Sequence, residues 1–391
     1  MPGLTQLTER IGASPTIALN DKANRLKAEG HDVIALAGGE PDFDTPAHVI
    51  EAGVNAIHAG ETHYAAPSKG IVPMLEAIAY KMERDNGVTV NPKTDIVVTP
   101  GGKLSLFLAL KSILNPSDEV LILAPYWVSY PSIVKMVGAN PVIVPLSSDD
   151  NYAVHLEQLR EYVTPNTKAI IVCSPNNPSG RMLTRDEINA IATVAEEADI
   201  WVISDEIYEK INYDGREHIS FASIPEIKDR VLTVNGMSKG YAMTGWRLGW
   251  LVGPKRVLDV ATIFNSQTAT SAATFTMHAA VAALTGPQDV VEMMRQSYQD
   301  RRDFIVSSLN SIDNICCPPI EGAFYAFPKI EQTDKTSAEV AELILTEAQV
   351  VGVPGSAFGI TDSVHIRFSY ATDKALLEDA VERIRKMAHL L

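Results

Sequence analysis

Lys239 is the residue with the clearest chemical potential in this 391-residue chain. It follows an apolar run, Val231-Leu232-Thr233-Val234, that reads as a buried strand, and it sits in the small-residue turn Asn235-Gly236-Met237-Ser238-Lys239-Gly240. An amine placed at a strand end in apolar surroundings loses solvation, which lowers its pKa and frees it for Schiff-base formation. Arg247 heads the next strand-like run, Leu248 to Val252. With the Ser238 hydroxyl it offers charge and hydrogen bonds to a phosphate. Upstream, the β-branched run Ala169 to Val172 empties into Pro175-Asn176-Asn177-Pro178-Ser179-Gly180, and the run Ile200 to Ser204 ends in Asp205, with Tyr208 just beyond. Taken singly, Asn177 is a turn-former and Asp205 a helix cap. Taken in order, three successive strand ends carry polar side chains, at the edge where α/β sheets bind ligands. A further run, Asp95 to Thr99, leads into Gly101-Gly102-Lys103 and an apolar helix to about Leu114. Free amides at such a helix start attract anions.

The elements that must position these residues alternate. Strand-like and amphipathic stretches follow one another between about residues 95 and 253, as expected for an α/β chain with a mostly parallel sheet covered by helices. Arg185 to Ala198 reads as one crossover helix. After Gly286-Pro287 a long helix is expected through Val290, Met294, Tyr298 and Arg302 toward Leu309. Beyond it the character changes. Gly322 to Phe327 and Val364 to Tyr370 alternate like strands with an exposed face, flanked by helices at about 338–347 and 374–389. The expected organisation is a large domain over residues 46–285 and a small α+β domain from residues 1–45 and 286–391.

Composition narrows the class. A net charge of −15 without basic clustering argues against nucleic-acid binding, although a local basic pocket can still draw anionic substrates. No apolar run approaches the roughly 20 residues that span a bilayer, and Met1-Pro2-Gly3-Leu4-Thr5 lacks the charged and apolar regions of a secretion signal. The three cysteines, Cys173, Cys316 and Cys317, make no disulfide framework. A reducing cytoplasm is therefore the expected compartment. Cys173 reads as a small strand residue, and no metal site is expected.

The ordered set Asn177, Asp205 with Tyr208, then Lys239 and Arg247 resembles the signature of class I pyridoxal-phosphate-dependent aminotransferases. The resemblance covers nearly the whole length and is nearest to the branch of bacterial aspartate aminotransferases, including aspartate/prephenate enzymes. It implies the type I fold, pyridoxal 5'-phosphate as cofactor, amino acid and 2-oxo acid substrates, and a homodimer. It also implies roles. Lys239 carries the cofactor and moves the proton. Asp205 holds the ring nitrogen protonated. Asn177 and Tyr208 donate to the phenolate oxygen. Trp127, beyond the run Val120 to Leu123, stacks on the ring. Gly101, Gly102, Lys103, Ser238 and Arg247 surround the phosphate, with Tyr64 reaching it from the partner subunit.

For the substrate, the resemblance assigns Arg367 to the α-carboxylate, with Gly39 of the loop Gly38-Gly39-Glu40-Pro41-Asp42-Phe43 beside it, next to Trp127 and Asn177. Lys103 with Ser14 and Thr16 is assigned to a distal carboxylate, which points to aspartate as donor and 2-oxoglutarate as acceptor. A lysine at a helix start is also unfavourable without an anion. The chain departs from the family at three places. Gly12-Ala13 stands where relatives often carry Lys-Pro, the Tyr64 loop is about one residue longer, and Gly236 replaces a serine. Alternatives are an aromatic or prephenate aminotransferase and, from another class, a β-lyase using the same cofactor. A transcription regulator of aminotransferase type would need an added basic domain, which is not expected because the similarity starts almost at Met1.

Overall fold

The computed structural model describes residues 5, 7–12 and 14–391. The beginning of the segment expected in the small domain, residues 1–4, and Ala13 of the Gly12-Ala13 departure lie outside the described residues. Seven strands form the main sheet: β1 (Ile96–Thr99), β2 (Glu119–Ala124), β3 (Asn140–Pro145), β4 (Thr167–Cys173), β5 (Trp201–Asp205), β6 (Val231–Gly236) and β7 (Gly249–Val252). Their spatial order is β1-β7-β6-β5-β4-β2-β3. All run parallel except β7, which is antiparallel to both neighbours. The central strands β4 to β7 are buried almost throughout, as strands covered by helices on both faces must be.

Register decides where chemistry can gather. Cys173 at the end of β4 lies opposite Asp205 at the end of β5, and Asp205 lies opposite Val234 of β6. The carboxyl ends of these strands thus fall on one edge, and so do the turns that follow them. β7 runs backward, so its amino end meets the same edge and brings Arg247 there. Helices fit the sequence pattern closely. Arg185–Glu197 is capped by Thr184 and Glu187 in a reciprocal box. The 21-residue helix Asp289–Leu309 buries Val291, Met294, Tyr298, Ile305 and Leu309 along one face.

A second sheet is built around Val364–Ser369, which pairs antiparallel with Tyr325–Ala326, Lys329–Ile330 and Val353–Pro354. Here the structure corrects the sequence. The alternating pattern suggested an exposed face, yet every residue from His365 to Ser369 is buried. The polar members face partners rather than water: His365 Nε2 lies 2.9 Å from the Tyr152 hydroxyl and Arg367 Nη1 lies 2.9 Å from Asn177 Oδ1. The expected strand Gly322 to Phe327 also shrinks to Tyr325–Ala326.

Candidate active site

A cavity of about 400 Å³ opens at the carboxyl edge of the main sheet. Its walls bring together Lys239, Ser238, Asp205, Tyr208, Asn177, Trp127, Gly102, Lys103, Arg247, Gly39, Arg367 and Thr16. Gly101 precedes this wall directly. Ser14 reaches it through its hydroxyl, 3.0 Å from that of Thr16. Tyr64 stands apart: it is 83% exposed on its loop and does not line the cavity of its own chain.

Lys239 is half-buried, and its ammonium donates to the Gly39 carbonyl. Burial pulls its pKa down to about 8; Glu40 and Asp205 oppose the shift, while Arg367 and Arg247 add to it. Asp205 shows the converse. Burial pushes its carboxyl up to about 6, against the Tyr130 hydroxyl, 2.7 Å from Oδ2, and the Ile207 amide at 3.3 Å from Oδ1. Both groups therefore hold charge at a cost that the chain itself relieves only in part.

The anion-attracting corner follows from glycine. Gly101 has φ of +90° immediately before the helix Gly102–Ile113. A Cβ on it would sit 2.5 Å from Arg247 Nη2, so only glycine lets the guanidinium lie against the helix start. Arg247 is itself held at φ +53° and anchored by its Nη1 donating to the Thr244 carbonyl at 2.8 Å. Such left-handed backbone at a non-glycine residue is strained, and strain of this kind collects at functional sites. Lys103 lies over Trp127, 4.9 Å from the ring centroid, with its pKa lowered by burial and by Arg247.

Opposite, Arg367 is 2% exposed. Its Nη1 donates to Asn177 Oδ1 and its Nη2 to the Ala37 carbonyl at 2.7 Å. Asn177 Nδ2 lies 3.4 Å from the Tyr208 hydroxyl. Several lining residues carry no expectation from sequence. Tyr130 is legible only as the residue three after Trp127. Tyr325 sits inside a short apolar strand and reads as core. Glu40, held by Thr244 Oγ1 at 2.9 Å, belongs to a turn whose sequence signal lies in its glycines, Gly38 and Gly39.

The donor set fits pyridoxal phosphate. A buried carboxylate suits a protonated ring nitrogen, a depressed amine suits a carbonyl carbon, and the glycine-lined helix start with Arg247 suits a phosphate. Comparison with known proteins agrees. Residues 31–384 match the family described as aminotransferase class I and II. An aspartate aminotransferase of Geobacillus stearothermophilus is 40% identical, over 97% of this chain and 98% of its own length. An aromatic-amino-acid aminotransferase of Thermococcus litoralis is also 40% identical, over 98% of each. The solved structure of Thermus thermophilus aspartate aminotransferase with maleate superposes with a TM-score of 0.94 at 40% identity, over 99% of this chain and 100% of that one.

Proposed function

The chain belongs to the class I and II aminotransferases, is a pyridoxal-phosphate-dependent aminotransferase with the type I fold, and we propose that it moves an amino group from aspartate to 2-oxoglutarate. The carrying observation is that, besides Lys239 and Arg247 on the cofactor side, the cavity has two separate cations, Arg367 on the small sheet and Lys103 at the helix start. A dicarboxylate engages both, each by a charge-assisted contact. Relatives named aspartate aminotransferases support this reading, as does the Thermus enzyme solved with maleate, a four-carbon dicarboxylate. The Thermococcus relative gives aromatic donors a specific claim as the second reading.

When bound, the cofactor supplies an electrophilic carbon and an electron sink. The chain's residues do the rest. Arg367, with Gly39, grips the α-carboxylate and fixes the donor's Cα. Lys239, once free, takes the proton from Cα and returns it as general acid. Asp205, oriented by Tyr130, keeps the ring nitrogen protonated. Asn177 and Tyr208 face the phenolate oxygen, Trp127 covers the ring, and Ser238, Arg247 and the amides at Gly101 and Gly102 bind the phosphate. Lys103, Thr16 and Ser14 receive the distal carboxylate. A two-step exchange follows, with the first 2-oxo acid leaving before the second arrives. In domain terms, residues 46–285 hold the cofactor, and the flanking segments 1–45 and 286–391 bring the α-carboxylate contacts.

The same reading makes the protein a cytoplasmic homodimer. Ile50, Val54 and Ile57 on the helix Ala47–His58 are 41–49% exposed, close in sequence to the outlying Tyr64. A second copy covers this face and takes Tyr64 into its phosphate corner. No helix among the described residues is long and apolar enough to cross a membrane. The test is a set of half-reaction spectra with aspartate, glutamate, phenylalanine and alanine. Aspartate should convert the cofactor to its amino form fastest. Fastest conversion by phenylalanine would replace this assignment with the aromatic one.

A further inference from the structure

Tyr325 touches three parts of the site at once: Tyr208, Arg367 and Gly39. It is fully buried. Its hydroxyl lies 2.7 Å from that of Tyr208, its only hydrogen-bond partner among the described residues. The Arg367 guanidinium lies over its ring, 4.5 Å from the centroid. A Cβ on Gly39 would come within 2.9 Å of its oxygen, so the glycine leaves it just enough room. The register explains the convergence. Tyr325 pairs with Ser369, which places it diagonally across from Arg367 on the same face.

Counting protons gives the consequence. A phenol oxygen has one proton to donate and two lone pairs to fill. Tyr208 receives one hydrogen bond from Asn177 Nδ2 at 3.4 Å. If Tyr208 donated to Tyr325, its proton would be used up inside the wall and could not reach the cofactor, and the proton of the fully buried Tyr325 would have no acceptor among the described residues. If Tyr325 donates, both lone pairs of Tyr208 are filled and its proton points into the cavity. The guanidinium over the ring favours this second arrangement, because a cation on the face of a phenol strengthens its O–H as a donor.

We propose that Tyr325 is a positioning residue that donates its hydroxyl proton to Tyr208 and thereby turns the Tyr208 proton toward the cofactor's phenolate oxygen. Arg367, already assigned to the substrate carboxylate, thus also polarises the residue that orients Tyr208. The proposal rests on the role given to Tyr208 above, and the experiment separates the two.

The measurement is the visible-absorbance pH titration of the bound cofactor in the holoenzyme of four proteins: parent, Tyr208→Phe, Tyr325→Phe and the double variant. Loss of a well-aimed donor to the phenolate favours its protonated form, so the spectral midpoint should rise. Tyr325→Phe keeps the ring and its cation contact, and should raise the midpoint by about 0.5–1 pH unit. Tyr208→Phe should raise it at least as far, and the double variant no further than Tyr208→Phe alone, since the two act through one hydrogen bond. Tyr208→Phe reads that bond from its other end if Tyr325→Phe does not fold. In that event, an unmoved midpoint for Tyr208→Phe overturns the proposal. With both variants in hand, a shift for Tyr208→Phe but none for Tyr325→Phe overturns the role of Tyr325 alone. Additive shifts do the same, and no shift for either overturns the Tyr208 assignment beneath it.

Discussion

Asp205 and Glu206 are neighbours in the chain and opposites in circumstance. Asp205 opens on the cavity, its carboxyl pushed up to about 6 by burial that Tyr130 and one amide relieve only in part. Glu206 turns away into a closed cluster. There it accepts from the Ser204 and Ser220 hydroxyls, each at 2.8 Å, with His218 Nε2 at 3.2 Å. Glu209 belongs to the same cluster, paired with the 1%-exposed Lys81 and accepting from Asn86 Nδ2 at 3.0 Å. Burial pushes Glu209 up as it does Asp205, but Lys81 chiefly, with His218, Lys210 and Asn86, outweighs it and leaves the carboxyl below its usual range. Ligand atoms of Glu206, Glu209 and His218 lie within 4.8 Å of one another, and the Lys81 ammonium pairs with Glu209 in that group. The difference teaches a rule for this fold. Buried charges answered by the chain's own charges hold structure, and those left facing a cavity await a ligand.

The largest effect on stability that sharpens this contrast belongs to the closed cluster. Lys81→Met strands the Glu209 carboxylate and should cost about 3–5 kcal/mol of stability, while replacing both partners by apolar residues should recover most of it. Denaturant unfolding measures this, and turnover per folded molecule should stay at the parent value. A folded Lys81→Met protein with lost turnover would mean that the cluster takes part in the chemistry.

The cavity should behave the other way. In the cofactor-free protein Lys239 titrates at about 8 rather than 10.5, so between those values the folded chain binds fewer protons than the unfolded one. Stability therefore rises with pH across that window, and below it the buried ammonium costs on the order of 2–3 kcal/mol. Cofactor-free Lys239→Met should accordingly be more stable than cofactor-free parent at pH 7, with the gap closing as the pH approaches 10.5. Equal stability at pH 7 would show that the site relieves its own charge.

The sequence makes half of this contrast legible. Lys239, Asp205 and Asn177 stand out because each polar residue ends or follows a buried strand, and a parallel register brings such ends together; Arg247 stands out because it heads the one antiparallel strand, whose amino end meets the same edge. Gly101 and Lys103 stand out because a glycine turn opens a helix. Tyr130 and Tyr325 do not, since an aromatic residue within an apolar run looks like core until its hydroxyl partner is seen. The strand Val364–Ser369 misleads for a related reason. Its alternation is genuine, but the polar face meets Tyr152 and Asn177 instead of water. Tyr64 stays exposed, outside the cavity of its own chain.

A smaller effect distinguishes the two cations assigned to the substrate, Lys103 and Arg367. Lys103→Ala should lower kcat/KM for aspartate by roughly tenfold to a hundredfold, about 1.5–3 kcal/mol, and leave alanine nearly unchanged. Arg367→Ala should harm every donor, because every donor carries an α-carboxylate. Equal losses for aspartate and alanine in Lys103→Ala would make Lys103 a solvated helix-start residue and leave the side-chain preference without a cause.

The claim that the open charges await the cofactor is tested most directly at Lys239. Borohydride reduction of the yellow holoenzyme, followed by peptide mass mapping, should place the cofactor's mass on the peptide containing Lys239, and Lys239→Ala should carry none and lose about 10⁴-fold in turnover. Label on another lysine, or normal turnover by Lys239→Ala, would contradict the account.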